Sequence, residues 1–156
     1  MRDLPEMAIS IRQPWAWAIV HAGKDIENRN WPTRYRGPVC THAAKGMGKA
    51  EYADAAQFIT TTLKCAPDNA WLMKWHGVCA APYRLDRGGI IGVAEIVDCV
   101  LESPSQWFFG PYGFVLRNAR AVDFVSVKGA LGLFNWRKNM ETARGALAQG
   151  GDDERA

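Results

Sequence analysis

The pattern of apolar and polar positions predicts a chain in which strands and helices alternate. Strands are indicated where apolar and polar side chains alternate, or where a short apolar run is bounded by turn residues. Helices are indicated where apolar residues recur every three to four positions. By these criteria we predict strands over residues 7–12, 25–29, 37–43, 89–101, 113–117, 122–127 and 130–134, and helices over residues 15–22 and 49–63.

The first predicted helix, residues 15–22, is bounded on both sides. Pro14 is suited to its first position, and Gly23 to the left-handed position that follows a helix. Lys24 then lies just past the helix C-terminus, where the negative end of the helix dipole favours a cation. In the next strand Glu27 and Arg29 are expected to share one face.

Two segments have a weaker pattern. Residues 65–89 are predicted to form a long excursion with one helical turn near residues 70–75. The last twelve residues are polar and lack apolar periodicity, which is typical of disorder. We therefore predict one domain over residues 1–144, followed by a disordered tail over residues 145–156.

Composition indicates an ordinary globular protein, since 22% of its 156 residues are charged and 48% are hydrophobic. Its four cysteines are irregularly spaced, with no CxxC pair, and neither a signal peptide nor a long apolar run occurs. These features predict a cytoplasmic protein with reduced thiols and no membrane span.

Charge is concentrated in residues 23–49. This stretch carries six basic and two acidic residues, a local charge of +4 in a chain whose formal net charge is +3. Trp31, Tyr35 and His42 are interleaved with the charges. Cations for phosphates together with planar rings for bases are typical of a nucleic-acid or nucleotide site. The alternative is a solvated basic surface with a few core aromatics.

A metal site is not predicted. Cys40, His42, His76 and Cys79 carry ligand atoms, but their spacing fits no standard zinc signature. Thiols are also commonly buried as small apolar groups. No cofactor is predicted either, because the chain has no glycine-rich phosphate loop.

The order of several motifs identifies a family. They are RQPWAWAI, GKDIENR, YRGPVCTHAAKG, GIIGVAEIVDC, WFFGPYGF and KGALGLF. From Ile9 to Phe134 this order resembles the ASCH domains of the PUA-like superfamily. The resemblance implies an α+β fold, namely a PUA-like twisted, partly closed mixed β-barrel with helices packed outside.

The same resemblance implies RNA or nucleotide binding near the GK-x-x-E-x-R segment. Some family members are N4-acetylcytidine amidohydrolases, and ribonuclease activity is attributed to another branch. The resemblance implies that these amidohydrolases use a lysine, a threonine three residues later and a distal glutamate. Lys24 matches the lysine, but Glu27 stands at the threonine position, so the nucleophile of that pattern is missing here.

Each candidate residue has a structural alternative. Lys24 and Glu27 form either an acid–base pair in a pocket or a structural ion pair. Arg36 offers a planar fork for phosphate, or it is a turn residue beside Gly37. Trp107 is predicted to be the better stacking platform, with Trp15 in the core. The residues predicted to bind nucleic acid are Arg29, Tyr35, Arg36, His42, Lys45, Trp107 and Lys128.

Our leading hypothesis is a nucleic-acid-binding or nucleotide-binding ASCH domain with a basic cleft. The expected ligand is RNA, another single-stranded nucleic acid or a nucleotide. The rival hypothesis is a hydrolase, an amidohydrolase or ribonuclease, in which Lys24 and Glu27 are catalytic, with Glu95 as a further candidate. A protein-interaction module is a third option. The sequence leaves the oligomeric state open.

Overall fold

One six-stranded mixed sheet positions all the other elements of this chain. The computed structural model describes residues 3–153, and side chains as far as residue 147. The strands are β1 (Met7–Ile11), β2 (Ile26–Arg29), β3 (Gly37–Ala43), β4 (Gly89–Val100), β5 (Tyr112–Ser126) and β6 (Leu133–Asn135). The helices are α1 (Trp15–His21), α2 (Lys49–Lys64), α3 (Asn69–Ala80) and α4 (Trp136–Asp153).

The strand order is β2-β5-β4-β3-β1-β6, and only the β1–β3 pair is parallel. Three strands separate β2 from β1 in this order, yet Arg29 of β2 donates from Nη2 to the carbonyl of Ser10 in β1 over 2.6 Å. The sheet therefore curls until an edge strand meets the other side. This curled half-barrel with four helices confirms the predicted α+β, PUA-like fold.

Local irregularities allow the curl. The β4–β5 ladder shifts register three times, and β3 shifts between Thr41 and His42. Such bulges bend a strand and increase its twist. At Gly92 a side chain would meet Val20 Cγ2 of α1 at 2.6 Å and the Arg120 carbonyl at 2.7 Å. The absence of a side chain at Gly92 therefore lets α1 pack directly on β4.

The core forms three apolar clusters. The first lies between α1 and the concave face of the sheet and includes Ile9, Ile19, Val39, Ile96 and Phe114. The second packs α2 and α3 against the outside of β2, and the third lies under α4. The second cluster contains Ile26, Ile59, Leu63, Trp75 and Trp107, and the third contains Ile90, Val93, Phe134 and Trp136.

Several strand predictions were wrong in their boundaries. Residues 113–117 and 122–127 belong to one continuous strand, β5, instead of two. The strand predicted over residues 130–134 is shorter, Leu133–Asn135, and as β6 it pairs with β1. In the middle of β5 the side chains are exposed and Asn118 has a positive φ of 55°, which hides the strand pattern from the sequence. Pro14 was also misplaced by one position, since it precedes the first helical residue.

The segment predicted as an excursion contains the complete helix α3, followed by a short 3-10 helix at Pro82–Arg84. The side chain of Asp68 caps α3 by accepting from the Ala70 amide at 2.8 Å. Trp75 is its fully buried residue and donates from Nε1 to Thr60 Oγ1 of α2 at 2.8 Å. A helix held by so few core contacts has a weak apolar periodicity, so only one turn of it was predicted.

Helix α4 continues through Asp153, so residues 145–153 of the predicted tail are helical in the structure. The helix is anchored at its start, where buried Trp136 donates from Nε1 to the carbonyl of Pro5 at 2.7 Å. That residues 145–156 are dispensable for folding stays a prediction, and residues 154–156 lie outside the described residues. In the described part of the chain, no helix is both long and apolar enough to cross a membrane.

The turn after α1 offers a test of the fold. Gly23 has a φ of +70°, as predicted, and an added Cβ would lie 2.4 Å from the ring of Trp71. We expect Gly23→Ala to lower the free energy of unfolding by about 2–4 kcal/mol, from backbone strain and displacement of that ring. Gly77→Ala is the control, since Gly77 lies within α3 with open space around it. It should raise stability by about 0.5–1 kcal/mol. Urea unfolding measures the free energy of unfolding of both variants. A Gly23→Ala protein as stable as the parent would show that this turn tolerates a side chain.

Candidate functional site

The candidate site is built where α1 turns into the edge strand β2. The Gly23 turn is closed by the Lys24 amide, which donates to the carbonyl of Ala18 at 3.1 Å. It directs the Lys24 side chain into the protein. In β2 the alternation of side chains places Ile26 in the core under α2 and α3, and Glu27 and Arg29 on the other face, as predicted.

These side chains form a continuous chain of charges. Lys24 Nζ donates to Glu27 Oε2 at 3.1 Å and to the carbonyl of Ile26. The other carboxylate oxygen, Oε1, lies 3.4 Å from Arg29 Nε. Arg29 reaches on to the carbonyl of Ser10. One carboxylate therefore bridges two cations, and the cluster carries a formal charge of +1.

Burial changes the electrostatics of this cluster. The side chain of Lys24 is 1% exposed and that of Glu27 is 10% exposed. Burial lowers the pKa of Lys24, and the neighbouring carboxylate of Glu27 offsets part of that shift by raising it. A neutral Lys24 amine would keep both of its hydrogen bonds as a donor and have its lone pair free.

Two partly exposed tryptophans flank the charges. Lys24 Nζ lies 5.3 Å from the ring centroid of Trp15, and Arg29 Cζ lies 5.8 Å from that of Trp31. Trp15 also borders a cavity of about 410 Å³. Phe58 and Phe109 form its other aromatic walls, with ring centroids 5.5 and 5.9 Å from that of Trp15. We call this space the Trp15 cavity.

The rim of the Trp15 cavity is polar. Arg12 and Glu51 form an exposed ion pair there, with 2.9 Å between Nη1 and Oε2, and Asp54 completes the lining. Because both partners of the ion pair are more than half exposed, it contributes little to stability. A ligand can therefore separate the pair at small cost.

Arg36 of the 23–49 stretch does not join this site. Arg36 donates to the carbonyls of Thr33 and Tyr35, and its Nη2 lies 3.5 Å from Asp98, so it is a turn residue. The seven residues of β3 separate Arg36 from Lys45 by about 20 Å, at ~3.3 Å per residue. The +4 stretch is thus spread along a strand and does not form one basic surface.

Two more predicted binding residues also lie away from the charge cluster. Tyr35 donates from its hydroxyl to the carbonyl of Pro38 at 2.8 Å and is partly buried. Lys128 is exposed in the loop after β5, and its carbonyl accepts from Asn139. No contact among the described residues links either side chain to Glu27.

His42 is a structural residue in this fold. It is 1% exposed, and its Nε2 lies 2.7 Å from the carbonyl of Val127, which can only accept. The Nε2 atom therefore carries the proton, and Nδ1 accepts from the hydroxyl of Ser10 at 3.0 Å. Burial lowers the pKa of His42, in keeping with this neutral form.

The structure places Trp107 and Glu95 in surroundings other than those the sequence predicts. Trp107 is 6% exposed and packs in the core beside Phe58, so it presents no open face to a base. The partly exposed ring is that of Trp15 instead. Glu95 follows the strand alternation to the face opposite Ile96, and its carboxylate accepts from Asn118 at 3.3 Å.

Sequence reasoning missed Asn28, which fixes the aromatic loop to β2. Its Nδ2 donates to the carbonyl of Trp107 at 2.9 Å, and its Oδ1 accepts from the amides of Phe109 and Gly110. These bonds bring the Phe109 ring to Trp15. The sequence signal for Asn28 is its position between Glu27 and Arg29. Its hydrogen-bond partners, however, lie about eighty residues away in the chain.

The fold and site together define a class of protein, a PUA-like half-barrel with a buried Lys–Glu–Arg cluster on its edge strand. The sequence profile described as ASCH domain matches residues 9–143, so this chain belongs to the ASCH domain family. Among curated proteins, no match to this chain is found. Within the described residues, no group of three metal-ligating side chains of the His, Cys, Asp or Glu type converges.

The buried cluster makes a prediction about pH. Because the folded-state pKa of Lys24 lies below its ordinary value of 10.5, the unfolded chain binds more protons there, and stability rises with pH across that window. Glu27→Gln removes the carboxylate that opposes this shift. We expect it to cost about 2–4 kcal/mol near neutral pH.

The expected deficit of Glu27→Gln shrinks as pH rises towards the ordinary pKa of lysine. In a Lys24→Met background, the additional cost of Glu27→Gln should not depend on pH in this range. Urea unfolding between about pH 7 and 10 measures both effects. Lys64→Met, at an exposed position, is the control. A Glu27→Gln deficit that is constant over this range would show that Lys24 is not its cause.

Proposed function

We propose that this chain is a nucleic-acid-binding ASCH domain that holds a base of RNA, or of a nucleotide, in the Trp15 cavity. The observation that carries the proposal is the position of Trp15. Its partly exposed ring connects an aromatic cavity to the buried cluster of Lys24, Glu27 and Arg29.

The aromatic walls support base stacking. Trp15, Phe58 and Phe109 line one cavity whose volume of about 410 Å³ is within the range of small-ligand sites. Stacking of a base on an aromatic ring contributes about 1–3 kcal/mol and tolerates any of the bases. The cavity therefore supports binding that depends on a planar ligand more than on its sequence.

The charge cluster supports an electron-rich group on that ligand. Two cations share one carboxylate, so this ion-paired cluster has a formal charge of +1 in a largely buried place, and the exposed carboxylate of Asp25 offsets only part of it. The Nε–H of Arg29 also has no hydrogen-bond partner. A base carbonyl or a phosphate oxygen would compensate both, because buried charges are stabilised by pairing and hydrogen bonding.

The wide separation of the other cations limits the electrostatic part of binding. Arg36 and Lys45 lie at opposite ends of β3, so only a few phosphates can be neutralised near the cavity. We therefore expect a shallow salt dependence for short ligands, with a slope of roughly one to two in the logarithmic plot.

A matched pair of variants tests the proposal. Trp15→Leu removes a cavity wall, and we expect it to weaken binding of nucleoside monophosphates by about tenfold or more. Phe124→Leu is the control, because Phe124 is a partly exposed aromatic residue on β5 outside the cavity. Calorimetric titration of the parent and both variants gives the affinities. Equal losses in the two variants, or no nucleotide binding by the parent, would refute the proposal.

A second candidate function is hydrolysis of a modified nucleoside. The lowered pKa of buried Lys24 favours it, since a neutral amine next to Glu27 could activate water. Covalent amide hydrolysis is disfavoured, because the carboxylate of Glu27 would have to form an anhydride with the acyl group.

We expect little or no release of cytidine from N4-acetylcytidine by the parent protein. Chromatography of the products over time measures it, with Lys24→Ala and Glu27→Gln as matched variants. Rapid release that both variants abolish would establish a water-activating Lys24–Glu27 site in place of a binding site. Release gained by Glu27→Thr alone would assign the difference in activity to this position.

A further inference from the structure

A second open surface runs along α3. Two adjoining cavities of about 390 and 440 Å³ share His21 and Lys74 in their walls. They lie between α1, α3 and the middle of β5, and with the Trp15 cavity they share only the buried Gln13. We call them together the α3 groove, whose defining residues are His21, Trp71, Lys74, Arg84, Arg117 and Asn118.

One face of α3 forms a wall of this groove. Trp71, Lys74 and Val78 are spaced by three and four residues, so they stand in a row on the same side of the helix. Ala81, which follows the helix, continues the lining. At ~1.5 Å per residue the row from Trp71 to Ala81 is about 15 Å long. The groove therefore has the length for several linked residues of a polymer, beyond one small molecule.

The charged side chains in the groove are mainly cations. Among the side chains of residues 3–147, no carboxylate lies within ion-pair distance of Lys74, Arg84 or Arg117. Asp86 and Asp25 also line the groove, but the carboxylate of Asp25 is already bonded to a serine hydroxyl. Lys24 also lines the groove but is paired with Glu27, and the other three cations against these two acids give the groove an excess of positive charge.

Besides burial, the positive charge of Lys74 also affects the pKa of His21. His21 lies at the junction of the two cavities, with its ring centroid 5.7 Å from that of Trp17. Burial, and then the nearby charge of Lys74, lower the pKa of His21. A neutral imidazole beside Trp17 and Trp71 adds planar, weakly polar surface to the cations.

We infer that the α3 groove binds the phosphodiester backbone of single-stranded RNA. The inference rests on the proposed function in one respect, that the ligand is nucleic acid. It adds a second contact surface, which begins at the turn formed by Gly23, Lys24 and Asp25. Cations along a groove with aromatic rings at intervals match a single strand, since phosphates and bases alternate along it.

The test uses the full chain and a fluorescein-labelled RNA of roughly 12 nucleotides, long enough to occupy both surfaces. In Lys74→Ala/Arg117→Ala two groove cations are lost. The control Lys64→Ala/Lys138→Ala loses the same charge at exposed positions outside the groove. We expect the groove variant to bind about tenfold more weakly at ~50 mM salt, with a salt slope shallower by roughly 1–2. The control should stay within about twofold of the parent.

Three outcomes would overturn the inference: no binding of the RNA by the parent, equal losses in the groove and control variants, or unchanged binding in the groove variant. An oligoglutamate peptide that binds with the same dependence on Lys74 and Arg117, while RNA does not, would show an acidic protein partner instead. Labelled DNA of the same sequence distinguishes RNA from single strands in general.

Titration with nucleoside monophosphates separates this inference from the proposed function. If the groove variant binds mononucleotides like the parent but loses affinity for the RNA, both stand. If the parent binds RNA through Lys74 and Arg117 but binds no mononucleotide, the Trp15 cavity proposal fails and the groove stands. Photo-crosslinking of RNA containing 5-bromouridine is a second readout, with adducts expected on Trp71 or His21.

Discussion

The shared carboxylate of Glu27 is the interaction on which the site and the closure of the sheet both depend. It pairs with Lys24 and with Arg29, and Arg29 in turn reaches the carbonyl of Ser10 across the opening of the half-barrel. Buried charges are tolerated only when they are paired and hydrogen-bonded. Glu27 thus allows two cations to be buried. One of them, Arg29, links the edge strand β2 to β1.

This arrangement constrains how the site can work. Lys24 and Arg29 are bonded to Glu27 and to backbone carbonyls, so neither is available as an independent phosphate-binding arm. Their positions are fixed by the Gly23 turn and by the alternation of β2, which makes the site preorganised. The net positive charge of the cluster favours one electron-rich group of a ligand, whereas the aromatic walls near Trp15 favour its planar part.

The Gly23 turn connects the two proposed binding surfaces, the Trp15 cavity and the α3 groove. The ring of Trp71 rests on Gly23, so α3 is held against the segment that positions Lys24. A ligand in the α3 groove therefore contacts the support of the buried cluster. A helix with one fully buried residue, Trp75, is held more loosely than the sheet, which fits a surface that adapts to a polymer.

The sequence by itself determined the first helix with its Gly23 turn and the shared face of Glu27 and Arg29 on β2. These follow from local rules of periodicity, left-handed glycine and strand alternation, whereas the fold class came from the resemblance of the ordered motifs to a family. It did not determine which rings and cations share a site. Trp107 became core and Trp15 stayed partly open because Asn28 ties the aromatic loop to β2. Strand β3 separates the cations of the basic stretch from one another. Packing of Trp75 and Trp71 positions α3. Such contacts join residues far apart in the chain, and only the tertiary structure decides them.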